Sequence, residues 1–159
     1  MKIRFLVVGK LKETYWKAAE AEYRKRLSPY VQTEIMELND YPTPEHASTK
    51  EEEEIKRKEG QEILAKLKPT DFCVLLDLGQ KQWDSLALAS QVEKWMALGG
   101  SSITFVIGGS LGLSEEVRRR GNAVLTLSSL TLTHQMTRVF LWEILYRSFK
   151  IIHHEPYHK

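Results

Sequence analysis

The sequence is short of most features that mark a specialised chain. It has one cysteine, Cys73, so no disulfide can form within it, and the chain suits a reducing compartment. Cys73 lies in the apolar run FCVLLDL with no histidine or second cysteine close in sequence, which fits a small core residue. No stretch approaches the roughly 20 apolar residues of a membrane span. The start MKIRFLVVGK is charged and then apolar, but its apolar run, residues 5–8, is shorter than the roughly 7–15 residues of a secretory signal core. A soluble, cytoplasmic protein is the expectation. There is little excess charge either: 23 basic against 21 acidic residues leave +2 with histidines neutral. That balance excludes a strongly cationic nucleic-acid arm, a polybasic membrane binder and an acidic tail. Internal repeats and low-complexity tracts are missing too.

What is present is one domain's worth of ordinary globular sequence, 159 residues with 42% hydrophobic and 28% charged side chains. The near-neutral total hides a pattern. Residues 1–30 carry net +5, residues 31–100 net −6 and residues 101–159 net +3. Solvated helix faces would explain this, as would two basic ends that converge on a polyanion.

Short apolar runs alternate with longer helical periods. Strands are expected at residues 3–8, 33–38, 72–78, 103–107 and 123–127. Trp16, Ala19, Tyr23 and Leu27 follow helical spacing before Ser28-Pro29. The stretch NDYPTPEHAST reads as a loop, and residues 50–67 as a helix with favourable Glu52–Lys56, Glu53–Arg57 and Glu54–Lys58 pairs. Asp84 can cap a helix that ends at Gly99-Gly100, and Ser114 a short one that ends before Gly121. A final helix covers residues 133–151. Strands alternating with helices mean an α/β fold, a single domain with a mostly parallel sheet flanked by helices.

That final helix is apolar on most sides, from Met136 through Trp142 and Phe149 to Ile152. A helix of this kind must be buried on most sides, and a terminal helix in a small domain has little cover. Homodimerisation through it is therefore expected.

Three constellations carry candidate chemistry. VIGGSLGLS, residues 106–114, is a strand, glycines and a capped helix, which serves equally as a tight turn or a ligand loop. It lacks the dinucleotide and phosphate-loop fingerprints. LSSLTLTHQ, residues 127–135, sits at a strand's carboxyl end, where open α/β sheets bind ligands; its hydroxyls also suit a plain loop, with Thr133 as a cap. Third, four of five histidines, His134, His153, His154 and His158, fall near the end of the chain in no zinc-binding pattern. His153 and His154 read as solvent-facing. Tyr157-His158-Lys159 combines an aromatic platform, a proton acceptor and a cation, although most such tails are simply frayed polar ends.

The segments MKIRFLVVGKLK, Lys58-Glu59-Gly60, LDLGQK, FVIGGSLGLS, LSSLTLTHQMTRVFLWEILYRSFKI and PYHK together resemble the RlmH-type branch of the SPOUT methyltransferases. Those enzymes methylate N3 of a pseudouridine in 23S ribosomal RNA. The resemblance implies S-adenosyl-L-methionine as methyl donor, no metal, and a trefoil knot in the C-terminal half, approximately residues 72–159. Ordinary folding rules would reject such a knot. It places cofactor contacts on Leu76, Gly108, Leu127, Ser128, Ser129, Leu130, Thr131 and Leu132. In place of the family's usual proline before the His-Gln pair stands Thr133, which can cap the helix instead.

Methyl transfer to a ring nitrogen needs in-line alignment and loss of the imino proton. His158 is the first candidate acceptor for that proton. Tyr157 would orient the base, and Arg147 would contact RNA phosphate or the donor's carboxylate. His134 ranks second as acceptor, with a structural contact behind the cofactor loop as its simpler reading. The expected partners are a second copy of the chain and 23S rRNA in the large subunit or whole ribosome. Alternatives are a SPOUT enzyme acting on tRNA and a non-catalytic ribosome-binding factor.

Overall fold

All five apolar segments pair side by side in the computed structural model, which describes residues 1–159. The strands are β1 Lys2–Val8, β2 Gln32–Leu38, β3 Phe72–Leu76, β4 Ser102–Ile107 and β5 Ala123–Leu125. They form one sheet in the order β2-β1-β4-β3-β5, with every pairing parallel. The helices between and after them are α1 Thr14–Leu27, α2 Thr49–Lys66, α3 Ser85–Gly99, α4 Glu115–Arg120 and α5 His134–Ile152.

Both sheet faces are covered, which is why the central strands are apolar at successive positions rather than alternate ones. Along β1, Ile3, Phe5 and Val7 face a core completed by Leu27, Leu88, Val92, Trp95, Leu141, Trp142, Leu145 and Phe149 of α1, α3 and α5. Leu6 and Val8 face the other way, into a smaller core with Ile63 of α2 and Val117 of α4. The indole of Trp142 stacks on Phe5 with ring centroids 3.6 Å apart. Cys73 is fully buried in the smaller core, and burial pushes its thiol pKa up to about 11. No helix is long and apolar enough to cross a membrane.

Local signals decide the helix starts. Ser48 and Glu51 make a reciprocal capping box at α2, and Asp84, Ser114 and Thr133 each accept a backbone N–H at their helix starts. The charge pairs of α2 differ from the expected i,i+4 set. Lys56 pairs with Glu53 and Arg57 with Glu54, each at 2.6 Å and i,i+3 spacing.

Helix α5 also departs from the sequence expectation. It buries Leu141, Trp142, Leu145, Tyr146 and Phe149 within its own chain, against α1, α3 and the sheet. Its remaining apolar exposure is narrower: Met136 at 48% and Phe140 at 46%.

Strands β3 and β5 stop earlier than the apolar runs do. After Leu125 the hydroxyl of Thr126 donates to the carbonyl of Asp77 at 2.8 Å and accepts Gln80 N–H at 3.1 Å. These side-chain bonds tie the two strand ends together where the backbone ladder has ended. The chain then runs from β5 at the sheet edge to His134, whose ring lies on Gly9 at the end of β1. Three inter-strand spacings of about 4.8 Å separate those strands. Residues 126–133 therefore cross over the carboxyl ends of β3 and β4.

Candidate active site

Strand register brings the positions expected to hold a cofactor to one edge of the sheet. Leu76 pairs with Ile107 on one side and with Leu125 on the other, so β4, β3 and β5 finish level. Gly108 follows Ile107 directly, and the segment from Leu127 to Leu132 follows β5 across the same edge. Residues that lie up to 56 positions apart in sequence thus share one end of the sheet.

The glycine loop is closed too tightly for side chains. A Cβ on Gly108 would lie 2.7 Å from the Leu113 side chain, and a Cβ on Gly109 would lie 2.7 Å from Glu59 Oε1. Gly112 has φ +90° and closes a turn through its N–H to the Gly109 carbonyl, 3.0 Å. Behind the loop, Gly60 of α2 leaves the room that the Ser114 side chain occupies. The Lys58-Glu59-Gly60 segment therefore acts here through packing, which places α2 against the loop.

Leu130 is 72% exposed, while Leu127, Ser128 and Leu132 are partly covered. Ser128 Oγ accepts the N–H of Leu130 at 3.0 Å and folds the segment into a turn. Beside it is a cavity of about 160 Å³ lined by Trp83, Leu88, Leu127, Phe140, Ile144 and Arg147, among others. A wider, shallow groove at the opposite end of the sheet, bounded by Lys2, Gln32 and Glu34, contains none of the candidate residues.

The three tail candidates meet on α5. Arg147 lies over the Tyr157 ring at 4.6 Å, donates to Glu143 Oε1 at 2.6 Å and approaches His158 Nδ1 at 3.2 Å. Tyr157 donates its own hydroxyl to Glu143 at 3.0 Å and packs edge-on against Tyr146. Burial, then that bond to Glu143, raises the Tyr157 pKa, whereas the bond to Glu143 is the main cause that raises Arg147. Because guanidinium has no acceptor, Nδ1 of His158 is the accepting nitrogen, so its neutral ring carries the proton on Nε2. Arg147 is the one residue shared by the tail cluster and the cavity that includes Leu127. His153 and His154 are exposed, as their sequence context suggests.

His134 is elsewhere, at the start of α5 and on the end of β1. Burial, and behind it Arg138, lower its pKa. Sequence reasoning missed Glu59. It is 4% exposed, with Oε2 accepting Tyr41 N–H at 3.1 Å and Oε1 without a partner. Its only sequence signal was its place in Lys58-Glu59-Gly60. Nowhere do three or more His, Cys, Asp or Glu side chains cluster as metal ligands.

An all-parallel sheet with converging strand-end loops, a tight glycine-containing turn and a crossing segment is the arrangement in which open α/β proteins bind ligands at the carboxyl ends of their strands. The chain matches the model of the family described as "Predicted SPOUT methyltransferase" over residues 1–158, and it belongs to that family. Among solved structures it is similar to a probable methylase family protein from Haemophilus influenzae Rd KW20, with a TM-score of 0.51 at 12% identity. That match covers 96% of this chain and 66% of the other, just under two thirds, and shows likeness of fold.

Proposed function

We propose that the chain is an RlmH-type enzyme that methylates N3 of a pseudouridine in 23S ribosomal RNA, with S-adenosylmethionine as donor. The family membership supports methyl transfer, and the convergence of Leu76, Gly108 and residues 127–132 through strand register carries the cofactor assignment. The residues present fit such a donor. Leu113 and Glu59 hold the loop at Gly108 and Gly109 tightly in place at the strand end, and the crossing segment offers backbone groups and hydroxyls for a nucleoside. A C-terminal knot, in which residues 126–133 thread the cofactor region, belongs to the same reading.

The bound donor would supply an already activated methyl group. The protein's task is then alignment, and deprotonation of the acceptor nitrogen. Leu127 and Arg147 share one cavity, so the tail cluster borders the donor side of the site. In the observed arrangement His158 gives its lone pair to Arg147. An RNA phosphate that takes over the guanidinium frees Nδ1 to accept the imino proton, and Tyr157 remains held by Glu143 as a platform for the base. Arrival of RNA thus switches the base on.

The same reading includes a cytoplasmic homodimer. The exposed apolar side chains of Leu130 on the crossing segment and of Met136 and Phe140 on α5 support it. Mass spectrometry of ribosomal RNA from a deletion strain tests the proposal: the N3 methyl on one pseudouridine should disappear and return with the gene. Intact methylation in that strain, or calorimetry that shows no S-adenosylmethionine binding, would overturn it.

A further inference from the structure

The cavity of about 160 Å³ lies where α3 and α5 face each other. That is well under the roughly 300 Å³ of a site for a whole small molecule, and suits a single planar ring system. Trp83, Leu88, Phe140 and Ile144 give it an apolar wall. Trp83 stands edge-on against the buried Trp95, with ring centroids 5.9 Å apart, so its indole is held in place.

Most of the polar groups along the wall are already engaged. Thr126 bonds to Asp77 and Gln80, and Ser148 donates to the Ile144 carbonyl at 2.8 Å. Asp84 uses Oδ1 to accept the Ala87 N–H. An aromatic wall with few free hydrogen-bonding groups is the chemistry of base stacking, which tolerates any base because each has a π-face.

Arg147 gives the cavity its charge. It lines the cavity and also lies over the Tyr157 ring at 4.6 Å. One guanidinium therefore borders two places where a base can stack. A guanidinium binds phosphate in fork geometry, and in a nucleic-acid strand one phosphate joins two successive nucleosides.

We propose that this cavity takes the base next to the methylated one, splayed from the RNA strand and stacked on Trp83, while Arg147 holds the phosphate that joins the two nucleosides. The subsite rests on the reading that RNA is the substrate and that Tyr157 carries the target base. The RNA must then be unpaired on both sides of that phosphate, as in a loop.

Ribosomes from the deletion strain, methylated by full-length wild-type and variant chains, provide the test. Trp83→Leu should raise the half-saturating ribosome concentration about tenfold or more, with the effect in KM rather than kcat. Trp83→Phe keeps an aromatic face and should restore most of the affinity. Ser85→Leu narrows the cavity from a half-buried position; it should act like Trp83→Leu, and carries the comparison if that variant does not fold. Unchanged half-saturation in both variants overturns the subsite. A loss confined to kcat also overturns it, since the target base itself would then occupy the cavity. A changed oligomeric state in sedimentation, with affinity for ribosomes kept, gives the cavity to a second copy and overturns it too. A wild-type chain that methylates no ribosomal RNA overturns the underlying reading, and the subsite with it.

Discussion

A Cβ at position 9 would fall 3.3 Å from Cε1 of His134, so the glycine that ends the first strand and the residue that starts the last helix fill adjoining space. Gly9 also has φ +105°. Gly79, by contrast, has φ +86° with open space where a Cβ would stand. Gly9→Ala should therefore cost about 1–3 kcal/mol for backbone strain, plus the displacement of His134. Gly79→Ala should cost only the backbone part. Urea denaturation of both variants measures the difference, and equal losses would show that the histidine contact contributes nothing.

The guanidinium of Arg138, 3% exposed, grips both oxygens of Glu20 at 2.6 and 2.8 Å and one oxygen of Glu37 at 2.7 Å. Trp142 Nε1 donates to the same Glu20 carboxylate at 2.9 Å. Glu20→Ala should cost about 3–5 kcal/mol, because it leaves a buried cation short of its main partner. Glu34→Ala breaks an ion pair to Lys2 at 3.2 Å and a looser one to Arg4 at 3.8 Å; with Glu34 itself 37% exposed, it should cost about 1 kcal/mol or less. Chemical denaturation checks the contrast.

Glu59 makes stability depend on pH in a known direction. Burial is the main cause that raises its pKa in the folded chain, and the Tyr41 N–H opposes it. A carboxyl whose folded pKa is raised holds its proton better folded than unfolded. Its favourable contribution is complete below the unfolded value, about 4.3, and is lost as pH rises through the folded value. Glu59→Gln should therefore gain stability relative to wild type as pH rises from about 4 toward neutrality. Denaturation midpoints measured across that range give the trend.

The tail cluster yields a fourth expectation. Tyr157→Phe removes the bond to Glu143 but keeps the ring under Arg147, whereas Arg147→Ala removes both the stacking and the His158 contact. Amide exchange over residues 155–159 should speed up in Arg147→Ala and change little in Tyr157→Phe. Single-turnover methylation should fall by about a hundredfold or more in His158→Ala. Unchanged rates in both His158→Ala and Tyr157→Phe would remove the tail from the chemistry.

The sheet was legible because its strands are buried on both faces and leave continuous apolar runs, as in FLVV and FCVLL. The helix caps at Asp84, Ser114 and Thr133 were legible because capping is a local interaction. The strand ends were less so: Leu127 continues an apolar run, but Thr126 ends the ladder by bonding to Asp77, 49 residues away. Strand order and register are long-range, and so the place of Glu59 beside the glycine loop was invisible. Nothing within α2 says that its glycine neighbour will pack on Ser114, or that its carboxylate will face Gly109. The apolar excess of α5 signals a need for cover without naming its source; the cover found here belongs to α1, α3 and the sheet of its own chain.

Vectorial synthesis gives the Glu20–Arg138 pair another meaning. The partners are 118 residues apart, and the helix that carries Arg138 also supplies Trp142, the ring that closes over Phe5. While the chain is still emerging, α1 has a carboxylate destined for burial and a first strand with one face uncovered. Contacts of such long separation form late and slowly. The nascent chain must therefore wait, open on one layer, until its last helix is released, and in that interval it has the greatest need of protection from aggregation.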